Sequence, residues 1–572
     1  MIAAHDATTT TPDQGPRTPA SRWRCWAGEV GWLATSVVSL AWIAGRAHQD
    51  VPAPLNGGWR EYLSFAGLFL DPGGVASLNP WRHPMWGLLV SMGARVSGMA
   101  AWEVAFVFAH ISVVAIVLGA ALTARTLAGR TAAAFVGPVA LGLPLLVEAW
   151  LWLDPYPAVG ACTATAVALG CVAARWGRPI LLGVAGLAAG LAAAMDGRAV
   201  GAALSVLGLV ALVPLRPGAW RRAVLLLAVL VGVALGPAAD LWIGERWCLP
   251  HVSLLEQIVD QNAKVHHTQM EQPPLPDLAD PGVRSEVTRE LLWRAITLPG
   301  MRLVARNAAN VGFDLTVGVA LGLLALVAGR IRGRWRRTDT IALVAFTPPI
   351  AVLAAAASLV DLFPRYTSTT WALTLCLAPI AVARGLPGWL PARWRTPWLR
   401  RLAVGSTLIV GMACAWPGLR ALSTNPPLDP HTVDAAPNFA SVVALADGVG
   451  TGDTVIDCSN TPVGALVPWQ AHYTYDPDRT DNTDWFRCRD GRAITPNVRH
   501  YSLRLQACAE FAAAPAGARA QWMLVGAPNG PAEESAHALV HAALRDGGWD
   551  QVPLGPTASP EAWRRAPAGP LR

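Results

Sequence analysis

The side chains in this sequence that can do acid–base chemistry are segregated along the chain. Asp50, Glu61, Asp71, Glu103, Glu148, Asp154, Asp196, Asp240 and Asp361 fall in alternate gaps between apolar stretches. The other gaps are almost purely arginine: Arg125 and Arg130, Arg175 and Arg178, Arg216, Arg221 and Arg222, then Arg330 to Arg337 and Arg384 to Arg401. A carboxylate at a membrane surface can deprotonate a hydroxyl or orient it for attack. A cation facing that carboxylate can stabilise a departing phosphate.

Five constellations could carry such chemistry. Asp50, Glu61 and Asp71 follow the first apolar stretch and could act as base or orienting acid; the plainer reading is solvated loop charge. In Asn79-Pro80-Trp81-Arg82-His83-Pro84-Met85-Trp86, prolines on either side of Arg82 and His83 stiffen the loop and start a helix. His83 could bind phosphate or move a proton, whereas Trp81 and Trp86 read as interfacial anchors. Glu148 and Asp154 flank Trp-Leu-Trp-Leu-Asp-Pro-Tyr-Pro, where a carboxylate among tryptophans is costly unless paired or functional. The plainer role is a cap for the next helix.

Asp196-Gly197-Arg198 reads as a self-paired turn. Asp361 to Tyr366 places Arg365 at the arginine-poor end of an apolar stretch. An arginine there needs an anionic partner, and a phosphate held in a bidentate contact would serve; Asp361 or lipid headgroups would serve too. His266 and His267 have no metal-ligand partners at useful spacing.

These residues must be positioned by helices in a bilayer. The chain of 572 residues is 53% hydrophobic and 15% charged, well below the charged share of about 25% in soluble domains. The net charge of +7 lies in short arginine loops rather than in one patch, which excludes a nucleic-acid surface. Lysine is nearly absent, which points to a GC-rich bacterial genome. Cytoplasmic loops collect arginine, so the N-terminus and the arginine gaps are expected inside and the acids outside.

A span takes roughly 20 apolar residues, and spans are expected near 27–45, 104–123, 131–149, 156–174, 180–195, 199–215, 223–243, 314–329, 340–360, 367–384 and 402–421. Residues 84–96 are expected as a helix lying at the membrane surface. Residues 1–26 are a Pro/Thr-rich disordered cytoplasmic tail, and 27–423 form the transmembrane domain with long periplasmic loops near 46–103 and 244–313. Within the second loop, the apolar and basic positions around 289–313 recur at helical spacing, with a break at Pro299. Beyond 424, short β-like runs (DTVIDC, QWMLVGA) and a helix-like ESAHALVHAALRDGG predict a small α/β periplasmic domain over 424–572.

Of the 9 cysteines, Cys248, Cys458, Cys488 and Cys508 fall on the expected periplasmic side, where disulfides persist. Several pairings are open.

Taken in order, these pieces resemble the GT-C superfamily of membrane glycosyltransferases, in particular its protein-mannosyltransferase-like bacterial branch. The pieces are WREYLSFAGLF, RHPMWGLL, LTARTLAGR at 122–130, WLWLDPYP, ITLPGMRLVARNAANVGF and LFPRYTSTTWALTL. The resemblance spans roughly residues 27–390 and rests on order more than on any one motif. With the eleven spans expected above, it implies a GT-C-like α-helical polytopic membrane protein with about eleven transmembrane helices. It also implies transfer of a sugar from a polyprenyl-phosphate-linked donor to an envelope glycan, lipid or protein acceptor at the periplasmic face of the bacterial inner membrane. Asp50 or Glu61 would then be the base or orienting acid and Asp154 a second acid. His83 and Arg365 would contact the phosphate, with Arg82 and Tyr366 beside them. A divalent cation stays open as a cofactor.

The chain departs from the family at the first loop. Where an acid pair commonly precedes the loop tyrosine, Gly57-Gly58-Trp59 stand here, and Glu61 immediately precedes Tyr62. A non-catalytic scaffold in envelope polysaccharide assembly is therefore a second reading. A transporter is a third, set back by the absence of an inverted repeat or mid-span charged path.

Overall fold

A computed structural model describes residues 19–50, 66, 83–99, 101–214, 219–246, 255, 258–259, 262, 278, 280–311, 336–360, 362, 364–389, 454–458, 470–474, 498–502, 508–509, 512, 521–526, 531–552 and 561–565. The spans expected at 314–329 and 402–421, and the loop-one helix apart from Ala66, lie outside these residues.

Helices dominate the first two-thirds of the chain. They are α1 (Pro19–Asp50), α2 (Met85–Ser97), α3 (Ala101–Ala128), α4 (Arg130–Leu141), α5 (Pro144–Ala149), α6 (Tyr156–Trp176) and α7 (Ile180–Met195). These are followed by α8 (Val200–Val210), α9 (Ala219–Arg246), α10 (Pro281–Ile296), α11 (Leu298–Val311), α12 (Arg337–Leu359) and α13 (Ser368–Trp389). Among the described residues, five stretches are long and apolar enough to cross a membrane: Glu29–Ala47, Glu103–Ala128, Tyr156–Trp176, Trp220–Glu245 and Arg337–Leu359. The protein is a multi-pass membrane protein.

Three expectations need correction. The stretch 131–149 is not one span but two helices, with Pro138 inside α4 and a break at Gly142-Leu143. Leu143 precedes Pro144, which disfavours helical geometry for it, and it is extended at φ −109°, ψ 94°. The stretch 199–215 contains only the 11-residue α8 after a 3-10 turn at Gly197–Ala199. Finally, α1 begins at Pro19, inside the stretch 1–26 expected to be disordered; proline suits a first helical position because its missing N–H has no partner there anyway.

The two ends of the bundle differ in chemistry. At one end Glu29 accepts from Arg125 Nε at 2.8 Å and Nη2 at 2.7 Å, and from Arg130 Nε at 2.7 Å. This ties α1 to α3 and α4. Arg125 also lies 5.4 Å over the Trp176 ring, and Arg337 donates to the carbonyls of Ala174 and Leu212. LTARTLAGR is thus a structural clamp on an acid of the arginine end. Because the helices alternate direction, Tyr156, Asp196, Asp240 and Arg365 collect at the other end.

Packing between α7 and α9 runs through paired small residues. Gly186 and Gly190 face Gly232 and Gly236, and a Cβ on Gly190 would meet the Val233 carbonyl oxygen at 2.5 Å. Such spacing lets two backbones approach closely where the hydrophobic effect gives helices no reason to associate.

The C-terminal residues build a six-stranded sheet of β1 (Thr454–Cys458), β2 (Gln470–Thr474), β3 (Val498–Ser502), β4 (Trp522–Val525), β5 (Trp549–Val552) and β6 (Glu561–Arg565), in the order β2-β3-β1-β4-β6-β5. β2, β3, β1 and β4 run parallel, while β6 is antiparallel to both β4 and β5. Successive strand residues point to opposite faces. Ile456, Met523, Val525 and Trp563 pack with Val540 and Leu544 of α14 (Pro531–Asp546). On the other face, Val455, Trp522, Leu524 and Ala562 share an apolar cluster with Met85, Trp86, Leu153 and Met195 of the bundle. A disulfide joins Cys458 to Cys508 with Cα atoms 6.2 Å apart.

Candidate functional site at the acidic end of the bundle

Four turns meet at the acidic end. The first precedes α6, where the Pro155 step follows Asp154. The Asp154 side chain is fully buried, and its Oδ1 accepts from the Tyr156 amide at 3.2 Å. Its role there is partly structural, forming the turn that starts α6. Trp86, also fully buried, donates its Nε1 to the Leu153 carbonyl at 3.0 Å and so fixes this turn against α2.

The second turn lies between α7 and α8. Arg198 grips Asp196 in a fork: Nε to Oδ1 at 2.9 Å and Nη2 to Oδ2 at 2.7 Å, with the Arg198 amide also donating to Oδ1. The self-paired turn expected from the sequence is present, but its guanidinium does more than close the turn. It lies 4.1 Å from the Tyr366 ring centroid and 5.7 Å from that of Tyr156.

The third turn, Pro364–Thr367, opens α13 and carries Arg365 and Tyr366. The Arg365 guanidinium lies 5.2 Å from the Tyr366 ring, within electrostatic reach of Asp154. Two guanidiniums therefore share one tyrosine. Asn307 of α11 holds the approach to this turn, donating to the carbonyls of Ala357 and Val360 at 2.8 and 2.7 Å while its Oδ1 accepts from the Leu362 amide at 2.9 Å.

The fourth turn leads into α2. His83 Nδ1 stands 2.9 Å from Asp240 Oδ2, near the end of α9, and 30% of the His83 side chain stays exposed. Burial disfavours the charged ring, but the Asp240 carboxylate outweighs it, with Asp196 reinforcing and Arg198 opposing. The result is an imidazole whose pKa is raised above its ordinary 6.5.

Among the residues singled out from sequence, Arg365 and Tyr366 are in contact, Asp154 lies within electrostatic reach of Arg365, and His83 lies within electrostatic reach of the Asp196–Arg198 pair that borders them. Asp50 is the last residue of α1, with its side chain outside the described residues, as are Glu61 and Arg82 altogether. Sequence reasoning passed over Arg198, Tyr156 and Asp240 as site residues. An acid within the apolar stretch 223–243 was the available signal for Asp240, because such a residue needs a partner. For Arg198, its neighbour Asp196 supplied a sufficient local explanation. Among the described residues, the groups placed to share a metal ion, His537, His541 and Glu561, lie at the C-terminal sheet and not in this site.

No protein-family model and no curated protein sequence matches the chain. Solved structures do. ArnT from Cupriavidus metallidurans, bound to undecaprenyl phosphate, is similar over 96% of this chain and 99% of its own, at 15% identity and TM-score 0.51. The chain has the GT-C fold. The oligosaccharyltransferase AglB from Archaeoglobus fulgidus, in complex with an inhibitory peptide and a dolichol-phosphate, is similar over 92% of this chain and 73% of its own, at 12% identity and TM-score 0.48. Within the GT-C fold of this chain, the acidic end offers Arg365, an Arg198 held by Asp196 and a His83 paired with Asp240. Guanidinium forks match phosphate oxygens and bind them with charge-assisted hydrogen bonds.

Proposed function

We propose that the protein transfers a sugar from a polyprenyl-phosphate-linked donor to a cell-envelope acceptor at the periplasmic face of the bacterial inner membrane. The observation that carries this reading is the convergence of Arg198 and Arg365 on the Tyr366 ring, at 4.1 and 5.2 Å. It sits at the end of the bundle away from the Glu29 clamp. Arg198 is already gripped by Asp196 and braces the Tyr366 ring, so Arg365 on the same ring is the cation that meets a phosphate, and the undecaprenyl phosphate in the ArnT structure is an anion of the right class. Arg365 and His83 contact the donor phosphate, with Arg82 and Tyr366 beside them, and Asp154 acts from below as the second acid. Asp50 or Glu61 deprotonates or orients the acceptor hydroxyl. The branch within GT-C is the protein-mannosyltransferase-like one, on the order of motifs along the chain.

The arrangement in the membrane follows the positive-inside rule. The N-terminus and the arginine end are cytoplasmic, about eleven helices cross the membrane, and 424–572 form a periplasmic α/β domain. The Cys458–Cys508 disulfide supports that compartment. The apolar strip Leu292, Trp293, Ile296, Leu298 and Met301, exposed on α10 and α11, supports a position for loop two in the headgroup layer.

The test uses the full chain in lipid nanodiscs. Undecaprenyl phosphate is titrated as binding probe, and polyprenyl-phosphate-linked sugars are supplied as donors. The wild type should bind the probe and Arg365→Ala should weaken it. Asp50→Ala or Glu61→Ala should leave probe binding unchanged while lowering turnover about 10²–10⁴-fold. Gly57-Gly58-Trp59 in place of an acid pair favours the scaffold as a second reading. Probe binding without turnover on any donor would select the scaffold, and no probe binding would overturn both.

A further inference from the structure

A second cluster of chemistry-bearing side chains lies on the helical face of the C-terminal sheet. His537 and His541 are four residues apart on α14, which places them on one face of the helix with ring centroids 4.3 Å apart. Glu561 opens β6, and its Oε2 approaches His541 Nε2 at 3.2 Å. One ligand atom from each of the three lies within 4.8 Å of the others. The His541 Nε2 is enclosed, and among the described residues it finds no aligned hydrogen-bond partner despite the nearby carboxylate. A buried polar nitrogen left in this way is costly and asks for a ligand.

We propose that His537, His541 and Glu561 bind one Zn²⁺ ion that clips α14 to β6, with water in the fourth position. Two imidazoles and a carboxylate suit zinc, whereas Mg²⁺ and Ca²⁺ take oxygen ligands. Tetrahedral bonds of about 2.0–2.1 Å put neighbouring ligand atoms roughly 3.3 Å apart, and His541 and Glu561 already stand at 3.2 Å. His537 completes the set by turning its ring.

The surroundings favour this assignment. Trp563 donates its Nε1 to Glu561 Oε2 at 3.3 Å, and its ring meets that of His541 edge-on at 5.4 Å. Such outer contacts orient ligands before the metal arrives. The Arg545 charge on α14 opposes a cation, but its side chain is exposed and screened.

The test is zinc binding by the full-length chain, purified on a tag without histidines, stripped with chelator and titrated against a chromophoric zinc competitor. The expected result is one saturable site per chain that Mg²⁺ and Ca²⁺ do not displace. Loss of an outer-shell partner alone costs about 10–100-fold in affinity, so His537→Gln and Glu561→Gln should cost at least that. Glu561→Gln keeps side-chain shape and His537→Gln keeps a polar side chain of similar reach, and their unfolding midpoints without zinc should lie close to the wild type. Added zinc should raise the midpoint of the wild type only. Unchanged zinc affinity in the His537→Gln, His541→Gln double variant, or no saturable site in the wild type, would overturn the proposal. Neither readout depends on sugar transfer.

Discussion

Arg198 stands over the ring of Tyr366, its guanidinium carbon 4.1 Å from the centroid, so the α7–α8 turn and the turn that opens α13 present one charged surface. The contact is strong because Arg198 does not choose between partners. Its fork is committed to Asp196, while its planar face remains for the aromatic ring.

Arg198→Ala should therefore destabilise the fold as well as the site. It leaves Asp196, 6% exposed, without its counter-charge. Losing one partner of a buried pair costs about 3–5 kcal/mol. Arg198→Lys keeps the charge but loses the fork and should fall between. Thermal unfolding in detergent reads the effect, and an unchanged midpoint for Arg198→Ala would contradict the structure.

The His83–Asp240 pair should be pH-dependent in a defined direction. The folded His83 pKa is raised above 6.5. Its contribution is therefore complete below the unfolded value and disappears as the pH rises through the folded one. The unfolding midpoints of wild type and His83→Gln should differ most in mild acid and converge in base. A gap that widens with rising pH would show that the pair is not held as drawn.

Asn307 should act at a distance on Arg365. Three backbone groups of the 357–362 segment depend on its amide. Asn307→Ala leaves buried polar groups unsatisfied at about 1–3 kcal/mol each and frees the turn that carries Arg365. Undecaprenyl phosphate binding should weaken along with stability. Asn307→Asp can still accept from the Leu362 amide but turns a carboxylate oxygen toward the Ala357 and Val360 carbonyls, so it should be no milder; equal probe binding by wild type and Asn307→Ala would remove Asn307 from the site's support.

Two glycines of α7 make a matched pair. A Cβ on Gly190 meets the Val233 carbonyl at 2.5 Å, but one on Gly183 meets nothing within 4 Å. Gly183→Ala should be neutral or stabilising by up to about 1 kcal/mol, from helix propensity. Gly190→Ala should lower the unfolding midpoint by forcing α9 away. Similar effects from both would refute the close approach of the two helices.

Topology can be read with reporter fusions. Fusions after Arg130, Arg222 and Arg337 should report the cytoplasm, and a fusion after Asp154 the opposite side. Thiol labelling of the denatured, unreduced chain should leave Cys458 and Cys508 unmodified. A cytoplasmic signal from the Asp154 fusion would invert the proposed orientation.

Much of this architecture is local enough to be legible in the sequence. Runs of apolar residues become helices because a backbone in lipid must satisfy its own hydrogen bonds. The α10–α11 break falls beside Pro299, and the Asp196–Arg198 turn closes on itself, because both are settled within a few residues. The division of the chain into arginine gaps and acidic gaps is equally a property of order along the chain. Glu29 is the informative exception: an acid at the arginine end, understandable only once Arg125 and Arg130 come round to grip it.

What tertiary structure alone decided is which of the acidic-end residues share an environment. Nothing local links His83 to Asp240, or Arg198 to Tyr366, since the members of each pair lie more than 150 residues apart along the chain. Their meeting depends on how closely the helices pack, down to the α7–α9 glycines. The same holds for His541 and Glu561, which only the packing of α14 on the sheet brings to 3.2 Å. Helix periodicity states which way a side chain leaves its own axis. The distance to the next axis depends on the side chains filling the gap between them, and that sets whether two charges are neighbours or strangers.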